Sequence, residues 1–352
     1  MRFLPETLHC PLIPAAPKGQ TAAMARVFLT RTMPGRAALM LAEAGHTVLT
    51  WPGELPPLAV ELAAALTTAD AALTTVVDFV APAMLSRSPR LKVIANMAVG
   101  YDNVDPATAA GLGIWVTNTP GVLAETTADM AWALLMSAAR NVALSDRETR
   151  AGAWRTWSPT GYLGVDVFGA TLGIVGLGEI GQAVARRARG FNMPILYHSR
   201  TRKPELEESL GLVYRDLPAL LAESDFVSLH TPLTPETRHL IGSAQLAAMK
   251  SSAILVNTAR GGIVDQEALI AALRSGAIAG AGLDVTTPEP LPLESPLYAF
   301  PNVVITPHIA SASLATRSRM AEMAAANILA VLAGKAPINP VNRPQLPRAL
   351  DT

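Results

Sequence analysis

Three side chains of complementary chemistry stand at the ends of apolar runs in the second half of this 352-residue chain: Arg260 in VNTARGGIVD, Glu289 in GLDVTTPEP and His308 in VVITPHIA. A guanidinium can grip a carboxylate and polarise a carbonyl, and an imidazole titrates near neutrality and can deliver a proton. A carboxylate beside that imidazole raises its pKa and favours the charged donor. Reduction of a 2-keto acid by hydride asks a protein for these three services. Each residue alone has a plainer reading: a loop contact for an Arg before two glycines, a turn residue for a Glu between prolines, a cap for a His at a strand end.

A hydride donor has its own signature upstream. GLGEIG supplies Gly176, Gly178 and Gly181, with Glu179 and Ile180 between them, directly after the strand-like TLGIV and before the helical QAVARRARGF. The first glycine permits the tight turn, the second lets backbone approach a pyrophosphate, and the third allows close packing of the helix, whose N-terminus favours anions. A carboxylate for a ribose 2'-hydroxyl is expected about 20 residues on. The chain instead has YHSRTRK, with Ser199, Arg200, Thr201, Arg202 and Lys203. A hydroxyl and guanidinium groups suit a 2'-phosphate, so the cofactor expected is NADPH, with NADH weaker. The alternative is a solvated basic turn. Thr258, His230 and Pro232, at the ends of later strands, are placed on the cofactor side, His230 with a purely structural role as its alternative.

Elements able to position these groups alternate along the chain. Strand-like runs occur at 26–30, 47–51, 71–75, 92–98 and 114–118, then at 171–176, 194–199, 225–230, 253–259, 279–285 and 302–308, separated by Ala- and Leu-rich helical segments. The pattern predicts an α/β fold of two Rossmann-like or flavodoxin-like domains, doubly wound parallel sheets with an active-site cleft between them. One long helix is expected from Thr126 to Ala153, bridging the domains or meeting a second subunit, and another near Ala315 to Leu332 returns to the first domain. Residues 24–119 with 309–342 form the expected substrate domain and 120–308 the nucleotide domain. Residues 1–23 are expected to be a disordered extension, broken by Glu6, His9 and prolines and unlike a signal peptide, and 343–352 a flexible tail.

Half of the residues are apolar, 16% are charged, and 28 basic side chains balance 28 acidic ones. That balance argues against nucleic acid or an anionic membrane as partner, and no apolar run reaches the roughly 18 to 20 residues of a membrane span. The single cysteine, Cys10, excludes an intrachain disulfide and a thiolate metal cluster; no metal is expected, and the cytoplasm is the expected compartment.

MAVGYDNVD, GLGEIGQAVARRA, VNTARGGIVD, GLDVTTPEP and ITPHIASAS, in that order from Met24 to about Asn342, resemble the D-isomer-specific 2-hydroxyacid dehydrogenases, and the run Leu283 to Pro292 most resembles their glyoxylate/hydroxypyruvate reductases. The resemblance implies catalytic roles for Arg260, Glu289 and His308, with His308 the general acid in reduction. It places Asp284 at the nicotinamide carboxamide, with a strand-end cap as the alternative, backbone amides around Val99 and Gly100 at the substrate carboxylate, Val76 and Val77 in the pocket wall, and Thr127 at a cofactor phosphate or ribose, with an ordinary helix threonine as the alternative. It further implies a homodimer in which Trp157 either reaches the partner's site or packs at the dimer contact, with Trp154 nearby. The implied substrates are glyoxylate and hydroxypyruvate, reduced to glycolate and D-glycerate. The rivals are a reductase of bulkier 2-keto acids and a non-catalytic dinucleotide sensor.

Overall fold

The structure, a computed structural model, describes residues 24–349. The expected extension 1–23, with Cys10, lies outside them.

Short apolar runs form two parallel sheets, as expected where helices cover both faces. The first contains β1 (Arg26–Leu29), β2 (Thr47–Thr50), β3 (Ala71–Thr74), β4 (Val93–Asn96) and β5 (Trp115–Thr117), in the order β2-β1-β3-β4-β5. The second contains β6 (Leu172–Val175), β7 (Ile195–His198), β8 (Leu212–Tyr214), β9 (Phe226–Leu229), β10 (Ile254–Asn257), β11 (Gly280–Leu283) and β12 (Val303–Ile305), ordered β12-β11-β10-β9-β6-β7-β8. The inner strands β3, β4, β6, β9, β10 and β11 are fully buried. The first order is that of flavodoxin-like sheets; the second is the Rossmann order with one strand added. In each, the chain winds outward in both directions from a switch point, between β1 and β3 and between β6 and β9. Ligands of open α/β sheets settle at the carboxyl ends of strands at such points.

Two expectations need correction. β8 is absent from the expected strands: its three residues, LVY, form an edge strand too short for alternation to register. The helix expected over 126–153 is two helices, Ala124–Ala139 and Val142–Arg150, parted by Asn141 in the left-handed region with φ of 52°. Asn is among the few residues that visit that region readily. The first of the two is a core helix of the second domain, burying Ala128, Ala131, Leu134 and Leu135. Gly282 of β11 lets it approach closely, since a Cβ there would lie 2.9 Å from Leu134 Cβ. Trp132 on the same helix stacks on Phe191, with ring centroids 4.8 Å apart.

The helix Leu314–Leu332 does return to the first domain, packing Ala321, Ala324 and Ile328 against β1, β3 and β4. Its Thr316 hydroxyl lies 2.6 Å from that of Thr126, linking it to the core helix of the second domain. The following stretch lies along β5, where the Val341 N–H donates to the Val116 carbonyl. Farther on, Arg348 Nη1 donates to the Ser88 and Leu91 carbonyls, which runs against the expected freedom of the chain from 343. At the amino ends of β1, β3 and β4, away from the cleft, buried Asp70 accepts from the Arg26 N–H, Arg90 and Lys92. Among the described residues, no helix is long and apolar enough to cross a membrane.

Candidate active site

The glycine-rich turn follows β6 at the switch point of the larger sheet. Gly176 has φ of +98°, and a Cβ there would meet the His230 carbonyl at 2.6 Å. A Cβ on Gly181 would lie 2.1 Å from the Gly176 carbonyl, so only glycine closes the turn against the helix Glu179–Ala188. Gly178 faces open space among the described residues at the helix N-terminus, whose first backbone N–H groups have no intrahelical partner and can receive an anion. This cradle fits the pyrophosphate of a dinucleotide. Glu179, which would repel phosphate if turned toward it, instead accepts from the Gly121 N–H at 3.1 Å, on the segment that joins the domains. Ile180 follows it in the first turn of the helix.

Beyond β7 the basic turn is differentiated. Ser199 donates its hydroxyl proton to the Thr201 carbonyl at 2.6 Å. Arg202, expected at a phosphate, is held by Glu207 through two contacts of 2.7 Å and lies over the Tyr214 ring. Arg202 and the Tyr197 hydroxyl together press the Glu207 carboxyl down to about 2. Exposed Arg200 stays at the turn, while Lys203 reaches the glycine-rich turn itself, its Nζ 2.9 Å from the Leu177 carbonyl. Lys203 is thus the basic side chain that meets the cradle, and Arg202 is committed elsewhere.

His230, past the end of β9, touches the Ser228 hydroxyl through Nε2 at 2.8 Å, while Nδ1 is buried without a partner. Burial pushes its pKa down to about 3, so the ring is neutral at physiological pH. Pro232 is in the following loop and accepts from the Thr237 hydroxyl. Thr258 is buried after β10 with its hydroxyl unpartnered. Thr127 is buried in the first turn of the core helix.

The catalytic candidates come from the ends of β10, β11 and β12. Asn257 orients Arg260, donating from Nδ2 to its carbonyl at 2.9 Å and accepting the Ala259 N–H at 3.0 Å. The guanidinium then crosses to the first domain, where Nε meets Asp102 Oδ1 at 3.0 Å. Its Nη2 lies against Gly100 so closely that a Cβ there would come within 2.0 Å. His308 Nδ1 is 2.7 Å from Glu289 Oε2, and the other Glu289 oxygen accepts from the Thr286 N–H. The Glu thus fixes the ring and leaves Nε2 for a reacting group. His308 itself has φ of 53°, an uncommon backbone for a non-glycine residue, of the kind that concentrates at functional sites.

Asp284, 1% exposed, accepts from the Thr306 hydroxyl at 2.6 Å and from the Ile309 and Ala310 N–H groups at 2.8 Å. It therefore shapes the turn that presents His308. Val76 follows β3, and Val99 and Gly100 follow β4, with Gly100 lying against Arg260. Trp157 and Trp154 lie apart from this constellation, 77% and 63% exposed, beyond the helix Val142–Arg150. Sequence reasoning missed Asp102, which Arg260 meets from 158 positions away, and Asn96, Asn103 and Asn118, whose amides donate to the carbonyls of Gly100, Thr75 and Val99.

A flavodoxin-order sheet facing a Rossmann sheet, with a glycine cradle and an Arg, Glu and His set at the strand ends, defines a dinucleotide-dependent oxidoreductase. Residues 132–310 match the model for the D-isomer specific 2-hydroxyacid dehydrogenase NAD binding domain. A glyoxylate reductase of Korarchaeum cryptofilum is 52% identical over 319 residues, spanning 90% of this chain and 96% of the relative. Among solved structures, the TT0316 protein of Thermus thermophilus superposes with a TM-score of 0.85 at 52% identity, over 90% of this chain and 99% of that one. An NADPH-dependent glyoxylate/hydroxypyruvate reductase of Sinorhizobium meliloti, in complex with NADP and malonate, gives 0.80 at 32% identity, over 94% and 100%. The chain belongs to the D-isomer-specific 2-hydroxyacid dehydrogenase family and is an NAD(P)-dependent oxidoreductase.

Proposed function

We propose that the protein reduces glyoxylate to glycolate and hydroxypyruvate to D-glycerate with NADPH. The observation that carries this reading is that the His308–Glu289 pair follows β11 and β12, the two strands next in the sheet to β10, whose Arg260 is laid over a glycine turn. A dinucleotide held in the cradle of Gly176, Gly178 and Gly181 would supply the hydride. Arg260 holds the carboxylate and polarises the ketone, backbone amides near Val76, Val99 and Gly100 share the carboxylate charge, and His308 Nε2 gives its proton to the forming alkoxide. Glu289 keeps the ring oriented and stabilises its charged form.

The glycine cradle would hold the pyrophosphate, with Thr258, His230 and Pro232 around the rest of the cofactor and Asp284 behind the nicotinamide. Arg200 and Lys203, with no carboxylate in the turn after β7, support a preference for the 2'-phosphate. The names of the relatives agree with the choice of small 2-keto acids. We further propose a cytoplasmic homodimer, in which the exposed arm with Trp154 and Trp157 covers apolar surface on the partner and Trp157 closes its substrate pocket.

Replacing Arg260 tests the assignment. Arg260→Ala is expected to lower kcat/KM for glyoxylate by roughly a thousandfold, with NADPH affinity within a few-fold of the parent. Turnover at the parental level removes Arg260 from the chemistry.

A further inference from the structure

Four backbone carbonyls at the cleft end of the first domain are held from behind. Asn118 Nδ2 donates to the Val99 carbonyl at 2.9 Å, and Asn96 Nδ2 to the Gly100 carbonyl at 2.9 Å. Asn103 Nδ2 reaches the Thr75 carbonyl at 3.0 Å, and the Thr119 N–H donates to the Ala98 carbonyl at 2.8 Å. These peptide bonds are trans. In a planar trans peptide the C=O and the next N–H point in opposite directions. Fixing the four carbonyls toward the domain interior therefore turns the N–H groups of Gly100, Tyr101, Val76 and Val99 outward. Those of Gly100, Val76 and Val99 find no protein acceptor among the described residues, and Arg260 lies against Gly100.

The bracing amides are braced in turn. Asn96 and Asn103, 0% and 8% exposed, bond to each other at 3.1 and 3.2 Å, and Asn96 Oδ1 also accepts from the Thr74 hydroxyl. Asn103 Nδ2 additionally meets the Asp78 carbonyl at 2.9 Å, while the Asp78 carboxylate accepts from the Thr75 N–H and from the Thr30 and Thr75 hydroxyls. The ends of β1, β3 and β4 are thereby joined to both loops. Buried amides so fully engaged rigidify what they touch.

We infer that Asn96, Asn103 and Asn118 are positioning residues: they aim a nest of backbone amides at the carboxylate of the 2-keto acid. The inference rests on the preceding reading that the cleft takes such an acid, and deepens it. Holding the donors in place beforehand leaves less reorganisation to be done when the anion binds.

The test compares Asn118→Ala, at a half-buried position, and Asn103→Ala with the parent enzyme. The readouts are kcat and KM for glyoxylate, the inhibition constant of oxamate, the Kd of NADPH and the melting temperature. Oxamate carries the same carboxylate but is not reduced. In Asn118→Ala the glyoxylate KM and the oxamate inhibition constant should rise together, by about tenfold or more, with kcat and NADPH Kd within about threefold. Asn103→Ala should show the same pattern, and if it does not fold, Asn118→Ala carries the test. Unchanged KM and inhibition constant, or a lower melting temperature or kcat at constant KM, overturns the inference by making the amides merely structural. A parent enzyme that neither reduces glyoxylate nor binds oxamate overturns the reading of the cleft, and this inference with it.

Discussion

Arg260 can lie where it does because Gly100 has no side chain: a Cβ would come 2.0 Å from Nη2. The obstruction involves the end of a flexible side chain, so Gly100→Ala should fold normally while pushing the guanidinium aside. Misplacing a reacting group by an ångström costs about a hundredfold. We therefore expect kcat/KM for glyoxylate to fall by about that factor with little change in melting temperature; parental kinetics would show that the contact is incidental. The candidates Arg260, Glu289 and His308 could be picked out of the sequence because each follows a recognisable strand and their types suit one reaction. The distribution of labour among the cations was not. Only the folded turn shows Arg202 bound to Glu207 and Lys203 extended to Leu177, because the choice depends on where a later helix, Pro204–Leu210, brings its carboxylate.

At the scale of elements, periodicity located eleven of the strands and the two long helical regions, because apolar runs and Ala-rich segments differ in length and pattern. It failed at β8, which is short and at a sheet edge, and at Asn141, where one left-handed residue breaks a pattern that helical spacing alone would continue. The buried cluster at the amino ends of β1, β3 and β4 likewise could not be read from the sequence, since Arg26, Asp70, Arg90 and Lys92 meet only when the three strands lie side by side. Burial by itself would raise the Asp70 carboxyl, but the Arg26 N–H, Arg90 and Lys92 outweigh it and hold it below the usual carboxylate range. A depressed carboxyl contributes its stability above the unfolded value, near pH 3.9, and loses it as pH falls through the lower folded value. Asp70→Asn leaves Lys92 buried without its counter-ion and should cost about 3 kcal/mol at pH 7. Denaturant unfolding from pH 7 to 2 should show that deficit shrinking below about pH 4; a deficit that does not vary with pH would assign it to packing alone.

Across the whole molecule, two sheets of different winding are joined from the carboxyl end of β10 to the loop after β4. The nucleotide sheet presents the glycine cradle and the three candidate catalytic side chains, and the smaller sheet presents the amide-lined loops. The Arg260–Asp102 pair crosses between them, and Glu179 reaches the segment that connects them. Neither contact could be read from sequence, because the partners lie far apart along the chain: 158 positions for Arg260 and Asp102, 58 for Glu179 and Gly121. What the sequence did carry at this scale was the order of the motifs, which is enough for the architecture and the family. The central claim is NADPH-dependent reduction of small 2-keto acids. Its most direct test is steady-state kcat/KM for NADPH and for NADH near pH 7, each with glyoxylate, hydroxypyruvate, pyruvate and phenylpyruvate. The account predicts at least a tenfold preference for NADPH, in line with roughly 1.5 to 3 kcal/mol per charge-assisted hydrogen bond to the 2'-phosphate, and fastest turnover of glyoxylate and hydroxypyruvate. Preference for NADH, or for phenylpyruvate over both small acids, would contradict it.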